Sequence, residues 1–227
     1  MVPTQKHPIG IVQIVCNDEN KQYDCKNLRQ LLNKKGFVVQ DVPVYQLKDR
    51  LMSTSKNYEM PILLFGYGAS GQIIQNILYQ TDLCRGAVLL DDARPISVFS
   101  KKLAILLAWC TMMIMGQNKP AKAFVRRPIH GISPQNTHTT YREYWAYLRD
   151  IFSIKHTQNC APLMMINSDN NITKMGGRMS RTLYNAYKQN DLSKLTLMFY
   201  ADLFNANTLR QVHNDIVQFM HNVVNRK

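Results

Sequence analysis

Short apolar runs alternate with helical patterns along most of this chain. Each apolar run is nearly continuous in Ile, Val, Leu or Met, which is typical of strands that are covered on both faces of a sheet. The runs predict six strands, at residues 10–16, 37–41, 61–66, 86–90, 162–167 and 194–200.

Apolar positions three and four residues apart predict the helices between these strands. In the first helix Leu28, Leu31 and Leu32 share one face, and Gly36 follows as a residue suited to end it. The predicted helices cover residues 23–35, 69–80, 174–189 and 208–224. The alternation predicts an α/β fold with a mostly parallel sheet of about six strands and helices on both faces.

Residues 93–153 interrupt the alternation. They contain a helix-like apolar block, a middle rich in Pro, Gly, Ser and Thr, and an aromatic helix at 141–152. A segment of this length within a compact domain usually carries a function or a structure of its own. We therefore predict a single domain, 1–227, in which residues 93–153 form a short helical cap inserted after the fourth strand.

The apolar block of this cap, residues 103–115, is uncharged. It is too short to cross a membrane, because a spanning helix needs about 20 residues. We therefore expect no transmembrane segment. The methionines of the block, together with Met164 on the fifth strand, are compatible with core packing and with the lining of an adaptable apolar pocket.

Basic residues are in excess in the second part of the chain. The 227 residues are 45% hydrophobic, which suffices for one sizeable core, and the formal net charge is +13. Residues 1–100 carry 11 basic and 9 acidic side chains, whereas residues 101–227 carry 17 and 6. Because no nucleic-acid-binding motif accompanies this excess, we expect no specific nucleic-acid partner. A solvated basic surface and a weak contact with anionic lipid headgroups both stay open.

The cysteines and histidines indicate the compartment and the cofactors. The five cysteines are scattered and form no C-x-x-C pair, which favours a reducing compartment over a disulfide framework or a zinc site. The six histidines form no H-x-x-x-H pair, so we expect no metal site and no cofactor. The first residues lack the apolar core of a signal peptide, so the expected location is cytoplasmic.

A glycine-rich turn follows the third strand, with the sequence Gly66-Tyr67-Gly68-Ala69-Ser70-Gly71. In the nucleophile elbow G-x-S-x-G, a serine occupies a strained turn between a strand and a helix, and the next amide contributes to the oxyanion hole. Here Gly68 stands in place of the serine, and Ala69 supplies the next amide. The turn therefore predicts an elbow that lacks its nucleophile.

The chain resembles the α/β-hydrolases of the serine aminopeptidase, monoacylglycerol lipase and lysophospholipase type over nearly its whole length. Besides the elbow, residues 12–20 are similar to the family's first apolar strand followed by H-G-x-x-E-H, and residues 36–39 to its second strand. Residues 161–171 and 197–206 are similar to the strands that end in S-G-x-x-D and Y-P-G-x-x-H-E.

This resemblance places the family's catalytic serine, aspartate and histidine at Gly68, Asn171 and Asn205. Glycine has no nucleophile, and asparagine neither carries the charge that stabilises an imidazolium nor titrates near neutrality. The resemblance also places the oxyanion hole at Asp18 and Ala69, where the Asp18 carboxylate would oppose a developing negative charge unless it points to solvent. We therefore expect no intact catalytic triad.

Two residues offer alternative positions for the catalytic groups. A shifted frame makes Ser70 a displaced nucleophile, although Gln72 then breaks the motif, and Asp169 lies close enough to Asn171 to be the acid. No shift of one or two residues recovers the histidine, because His213 follows Asn205 by eight positions. We favour the interpretation of Ser70 as a small residue that eases the packing of its helix against the sheet.

Together these residues predict a pseudoenzyme with a hydrolase fold. For such a protein we expect a binding role, with a small apolar or acyl-bearing ligand beneath the cap or with a protein partner. Two alternatives stay open: an active serine esterase or lysophospholipase that uses Ser70, and a basic protein that binds a membrane surface or an anionic ligand.

Overall fold

The structure, a computed structural model, describes most of the sheet and the helices that cover it. The described residues are 8–16, 25–43, 46–78, 83–90, 98–119, 140–152, 161–168, 187–200, 203 and 205–226.

Six parallel strands form one sheet in the order β2-β1-β3-β4-β5-β6. The strands are β1 (Gly10–Cys16), β2 (Phe37–Pro43), β3 (Ile62–Tyr67), β4 (Gly86–Leu90), β5 (Leu163–Ser168) and β6 (Leu195–Tyr200). All six predicted strands are confirmed, with ends shifted by two residues or fewer. Strands β3 and β4 are buried along almost their whole length, which explains their continuous apolar sequence.

Six helices connect or flank these strands within the described residues. They are α1 (Lys26–Lys34), α2 (Leu47–Asn57), α3 (Ala69–Leu78), α4 (Val98–Met115), α5 (Tyr141–Phe152) and α6 (Ala206–Asn225). Helix α5 has the predicted bounds, and α6 begins two residues earlier than predicted. Helix α2 was not predicted. Most of the predicted helix 174–189 lies outside the described residues, although residues 187–190 are helical.

The helices cover both faces of the sheet, as the sequence predicts. Leu28 of α1 and Ile216 of α6 are buried in the apolar cluster on one face. Leu51 of α2 and Ile74 of α3 belong to the cluster on the opposite face. A buried polar contact also holds α2 to the sheet, because the Gln13 side-chain amide of β1 donates a hydrogen bond to the Thr54 hydroxyl at 3.0 Å.

The described part of the segment 93–153 belongs to the second of these faces. Ala108 and Met112 of α4, and Tyr144 and Leu148 of α5, are buried in the same apolar cluster as Leu51 and Ile74. Backbone hydrogen bonds tie the two helices together where α4 ends, from the Tyr141 amide to the Lys119 carbonyl and from the Arg142 amide to the Gln117 carbonyl. These two helices therefore contribute directly to the core.

The sheet order defines the edge at which a ligand site is expected. Strand β1 lies between β2 and β3. The chain therefore passes from β1 to β2 on one side and then crosses to β3 on the other side, where the strand order reverses. In open α/β sheets, ligands bind outside the carboxyl ends of the strands next to such a switch point. The turn that follows β3 lies at this edge.

Candidate functional site

The turn at the end of β3 has the backbone of a strand-to-helix elbow. Strand β3 ends at Tyr67, α3 begins at Ala69, and Gly68 alone connects them. Gly68 has a φ of 56°, in the left-handed region that costs other L-residues about 1–2 kcal/mol. Its amide donates to the Leu90 carbonyl of β4 at 3.0 Å, and its carbonyl accepts from the Gly71 amide at 3.1 Å. These bonds hold the turn against the neighbouring strand.

Gly66 allows the first turn of α3 to pack closely against β3. A Cβ at this position would lie 2.5 Å from Cδ1 of Ile74, and 3.2 Å from both the Gly71 amide nitrogen and the Ser70 hydroxyl oxygen. The first of these separations is shorter than any tolerated carbon–carbon contact. Gly66 therefore fills the steric role that small residues have around a nucleophile elbow.

Ser70 is fully buried in the first turn of α3. Its hydroxyl donates to the Tyr67 carbonyl and accepts from the Tyr67 amide, each at 2.9 Å. Both backbone groups of the last residue of β3 are thus bonded to one side chain. The hydroxyl therefore links the first turn of α3 to the end of β3, and it is not exposed to solvent.

Asn205 lies beyond the end of β6 and caps α6. Its side-chain oxygen accepts from the Asn207 amide at 3.0 Å, while its carbonyl accepts from the Leu209 amide at 2.8 Å. A φ of −65° and ψ of 136° give it the extended conformation of a helix N-cap. The side chain that the resemblance places at the catalytic histidine therefore satisfies the end of a helix.

The structure places two of the three predicted triad positions beyond the same edge of the sheet. Gly68 follows β3 and Asn205 follows β6 by five residues, both beyond the carboxyl ends of parallel strands. Strand β6 is the third strand from β3, so the two strand ends are about 14 Å apart at the usual spacing. Ala69 is the first residue of α3. Asp18, Asp169 and Asn171 lie outside the described residues.

A cavity of about 240 Å³ lies at the opposite end of the sheet. It is bounded by Met164 near the start of β5, by Thr196 and Met198 of β6, and by Asp215 and Phe219 of α6. Because the strands are parallel, this position is remote from the turn that follows β3. The cavity is therefore separate from the predicted site.

Two polar contacts near this cavity shift the pKa of their groups. The Tyr200 hydroxyl donates to the Asp215 carboxylate. Burial, and then this hydrogen bond, raise the pKa of the Tyr200 phenol, so the group is neutral across the physiological range. At the start of β6, hydrogen bonds from the Ser193 hydroxyl and amide lower the pKa of Asp191.

Neither a metal centre nor a membrane-spanning helix is found in the described part of the chain. Among these residues no group of three or more His, Cys, Asp or Glu side chains is placed to hold a metal ion. None of the described helices is both long enough and apolar enough to cross a bilayer.

Comparisons with solved structures identify the fold. A lipase in its open form superposes with a TM-score of 0.61 at 13% identity, covering 97% of this chain and 92% of that one. The α/β hydrolase GrgF from Penicillium sp. sh18 gives a TM-score of 0.56 at 12% identity, covering 97% and 91%. MenH from S. aureus gives 0.55 at 9% identity, covering 97% of each chain.

The chain has the α/β-hydrolase fold. No protein-family model matches it, and no curated protein matches it by sequence. At 9–13% identity these neighbours share the fold, and what each of them catalyses is a property of that protein.

Hydrogen bonds in the structure give Ser70 and Asn205 roles that the sequence interpretation missed. The favoured interpretation of Ser70 invokes only its small size, whereas its hydroxyl bonds both backbone groups of Tyr67. A serine three residues after the bonded carbonyl is a visible signal for such a contact. Asn205 is a helix cap, and an asparagine ahead of the apolar pattern of α6 is the corresponding signal.

Proposed function

We propose that this α/β-hydrolase-fold chain is catalytically inactive and acts by binding. The observation that carries the proposal is the elbow itself. Its apex is Gly68, which has no side chain. Ser70, two residues after the apex, is fully buried, and its hydroxyl is hydrogen-bonded to the Tyr67 backbone. A nucleophilic hydroxyl must reach a substrate carbonyl and must transfer its proton to a base.

The position of Asn205 supports the same proposal. An asparagine amide does not titrate near neutrality, so it cannot take a proton from a nucleophile and return it to a leaving group. Its oxygen is already bonded to the Asn207 amide. The proposed losses remove the nucleophile at Gly68, the group that orients the base at Asn171 and the base at Asn205.

A fluorophosphonate probe, which labels activated serines, tests the inactivity. We expect the native chain to remain unlabelled and to hydrolyse neither short nor long acyl esters above the background of heat-denatured protein. The matched controls are Ser70→Ala and Ser193→Ala, the latter at an exposed serine near the cavity. Labelling or turnover that Ser70→Ala abolishes and Ser193→Ala retains would establish an active esterase and overturn the proposal.

We propose a small apolar or acyl-bearing molecule as the ligand, bound at the elbow beneath the predicted cap 93–153. The support is the location of Gly68, at the sheet edge and switch point where this class of sheet binds ligands. The absence of a side chain at the apex leaves the backbone open to close approach. The resemblance to monoacylglycerol lipases and lysophospholipases suggests a monoacyl lipid, and a protein partner is the second candidate.

A pair of equivalent substitutions tests where the ligand binds. Gly68→Asn places a side chain at the apex, and asparagine tolerates the left-handed backbone better than most residues. Gly36→Asn makes the same change at a φ of 92° at the opposite end of the sheet, where a Cβ meets only ordinary contacts. We expect monoacylglycerol to raise the melting temperature of the native chain and of Gly36→Asn, and to have no effect on Gly68→Asn. An equal response from all three would place the ligand elsewhere.

The proposed compartment is the cytoplasm. Cys25, Cys84 and Cys110 take part in no disulfide in the described part of the chain, which supports a reducing environment. Labelling of the thiols in cell extracts prepared under acid quench would test this. Disulfide-linked cysteines in such extracts would contradict it.

A further inference from the structure

Helix α4 carries an apolar face that is open to solvent. Ala108 and Met112 are buried against the sheet, and six large apolar side chains elsewhere on the helix are exposed. We call these six the α4 apolar face: Leu103, Leu106, Leu107, Trp109, Met113 and Ile114. Ile114 is 81% exposed, Met113 57% and Leu106 53%, so three of the six side chains have more than half of their surface in water.

The α4 apolar face is continuous. With 3.6 residues per turn, its six positions occupy one arc of about 160° that is centred opposite the buried positions. The helix has 18 residues and therefore a length of about 27 Å. A helix that is apolar on all sides is normally buried in a protein or in lipid. The face is thus large enough to require a partner.

The charge around α4 indicates what kind of partner it is. From residue 93 to residue 142 the sequence contains eight Lys or Arg and no Asp or Glu. Lys102 near the start of α4, Lys119 just beyond its end and Arg142 at the start of α5 are exposed. Lys119 and Arg142 are neighbours, because the adjacent Tyr141 amide bonds the Lys119 carbonyl. Basic groups therefore flank the apolar face at both ends.

We propose that the α4 apolar face docks on a membrane surface that contains anionic lipids. Helices that combine an apolar face with basic residues lie in the interface plane, with the apolar side chains about 5–10 Å into the headgroup boundary. Here the exposed face of α4 supplies the apolar side chains, and Lys102, Lys119 and Arg142 supply the basic groups. The exposed indole of Trp109 belongs to the residue type that prefers this depth. A second copy of this chain fits less well, because each copy carries +13 and the two basic surfaces would repel each other.

The docking surface is the outer side of α4, a helix of the predicted cap 93–153, and its side chains differ from those of the proposed elbow site. It uses exposed side chains of α4, whereas the elbow lies between β3 and α3. Membrane docking therefore holds whether or not the chain binds an acyl ligand or hydrolyses an ester. The tests of the two proposals use different variants and different measurements.

Vesicle co-sedimentation with paired variants tests the docking. The test variant is Leu106→Asp with Ile114→Asp. The control is Met52→Asp with Leu192→Asp, which makes the same change in charge at residues that are 44% and 52% exposed on other elements. We expect the native chain to bind phosphatidylcholine vesicles that contain about 30% phosphatidylserine more strongly than phosphatidylcholine alone, and raised salt to weaken this binding. The test variant should lose about tenfold or more in affinity and the control about threefold or less.

Trp109 provides a readout that needs no change in α4. The chain has two tryptophans, so Trp145→Phe leaves Trp109 as the only indole. We expect its emission to shift to the blue when anionic vesicles are added. No binding to anionic vesicles, or an equal loss in both double variants, would overturn the proposal. Sedimentation velocity gives a further test. A dimer of the native chain that dissociates in the Leu106→Asp, Ile114→Asp variant would also overturn the proposal, because it would assign the α4 apolar face to a second copy.

Discussion

Ser70 shows how one hydroxyl can stabilise a turn at a position that a shifted motif would make catalytic. Its hydroxyl forms two hydrogen bonds with the backbone of Tyr67, the last residue of β3. A buried backbone group that loses its partner costs about 1–3 kcal/mol. The neighbouring serine is thus an integral part of the elbow.

Replacement of Ser70 by alanine should lower the free energy of unfolding by about 1–3 kcal/mol, because both hydrogen bonds between its hydroxyl and the Tyr67 backbone are lost. Ser53→Ala is the matched control. Its hydroxyl also donates to the carbonyl three residues earlier, that of Arg50, but it is exposed to solvent. That control should change stability by about 0.5 kcal/mol or less. Urea unfolding of the two variants measures the difference, and equal effects would contradict a structural role for Ser70.

Gly66→Ala should destabilise the fold by about 2 kcal/mol or more, because the added Cβ would meet Ile74 Cδ1. Ile74→Val removes that carbon and should cost about 1 kcal/mol alone. In the double variant we expect a smaller loss than the sum of the single losses. A double-mutant cycle by urea unfolding measures this coupling. Strict additivity would show that the Ile74 contact does not determine the need for glycine.

At the scale of the element, α6 depends on a side-chain cap. The Asn205 oxygen satisfies the Asn207 amide, one of the first amides of the helix that lack a partner within it. The helix also buries Val212, Ile216 and Met220 against the sheet. Its start therefore affects the packing of one whole face.

Asn205→Ala should cost about 1 kcal/mol of unfolding free energy, the usual value for the loss of an N-cap. Asn205→Asp should retain stability, because a carboxylate accepts the same hydrogen bond and favours the helix N-terminus. Asn207→Ala is the control, since only its backbone amide takes part in the cap. Thermal unfolding followed by circular dichroism compares the three. A loss in Asn207→Ala as large as that in Asn205→Ala would contradict the assignment.

The same elements show which parts of the fold can be predicted from sequence. Strands such as β4 are buried on both faces, so their apolar runs are unambiguous. Helix α2 escaped prediction because one of its three buried positions, Thr54, is polar and is compensated by Gln13. A pattern of apolar residues at helical spacing does not reveal a buried pair of polar side chains. Such a contact depends on the tertiary packing of β1 against α2.

The candidate site likewise has features that the sequence predicts and features that it does not. The turn at Gly68 could be predicted, because glycines between an apolar run and a helical pattern specify it locally. The cap at Asn205 was missed because Asn205 and Asn207 are polar, and the periodic apolar pattern begins only after them. The hydrogen bonds of Ser70 depend on the angle between β3 and α3, which sequence spacing does not give.

At the scale of the whole molecule, the net charge of +13 makes the folded chain repel itself. Salt screens this repulsion over about 10 Å at 0.1 M. We therefore expect the midpoint of urea unfolding to rise when NaCl is raised from about 0.02 M to about 0.2 M. Lys48→Glu with Lys188→Glu, both at exposed positions, lowers the net charge by four and should reduce the rise. A midpoint that falls with salt would show that favourable ion pairs outweigh the repulsion.

The cap at Asn205 also bears on whether the proposed inactive chain could acquire a catalytic triad. A histidine there would give up the cap at about 1 kcal/mol, and a serine at Gly68 would add left-handed strain of about 1–2 kcal/mol. Their sum, about 2–3 kcal/mol, is a large part of the 5–15 kcal/mol that holds a typical domain together. Each single step towards a triad therefore weakens the protein before any rate is gained. If the chain is inactive as proposed, selection acting on one substitution at a time would meet the loss of stability before any gain in rate.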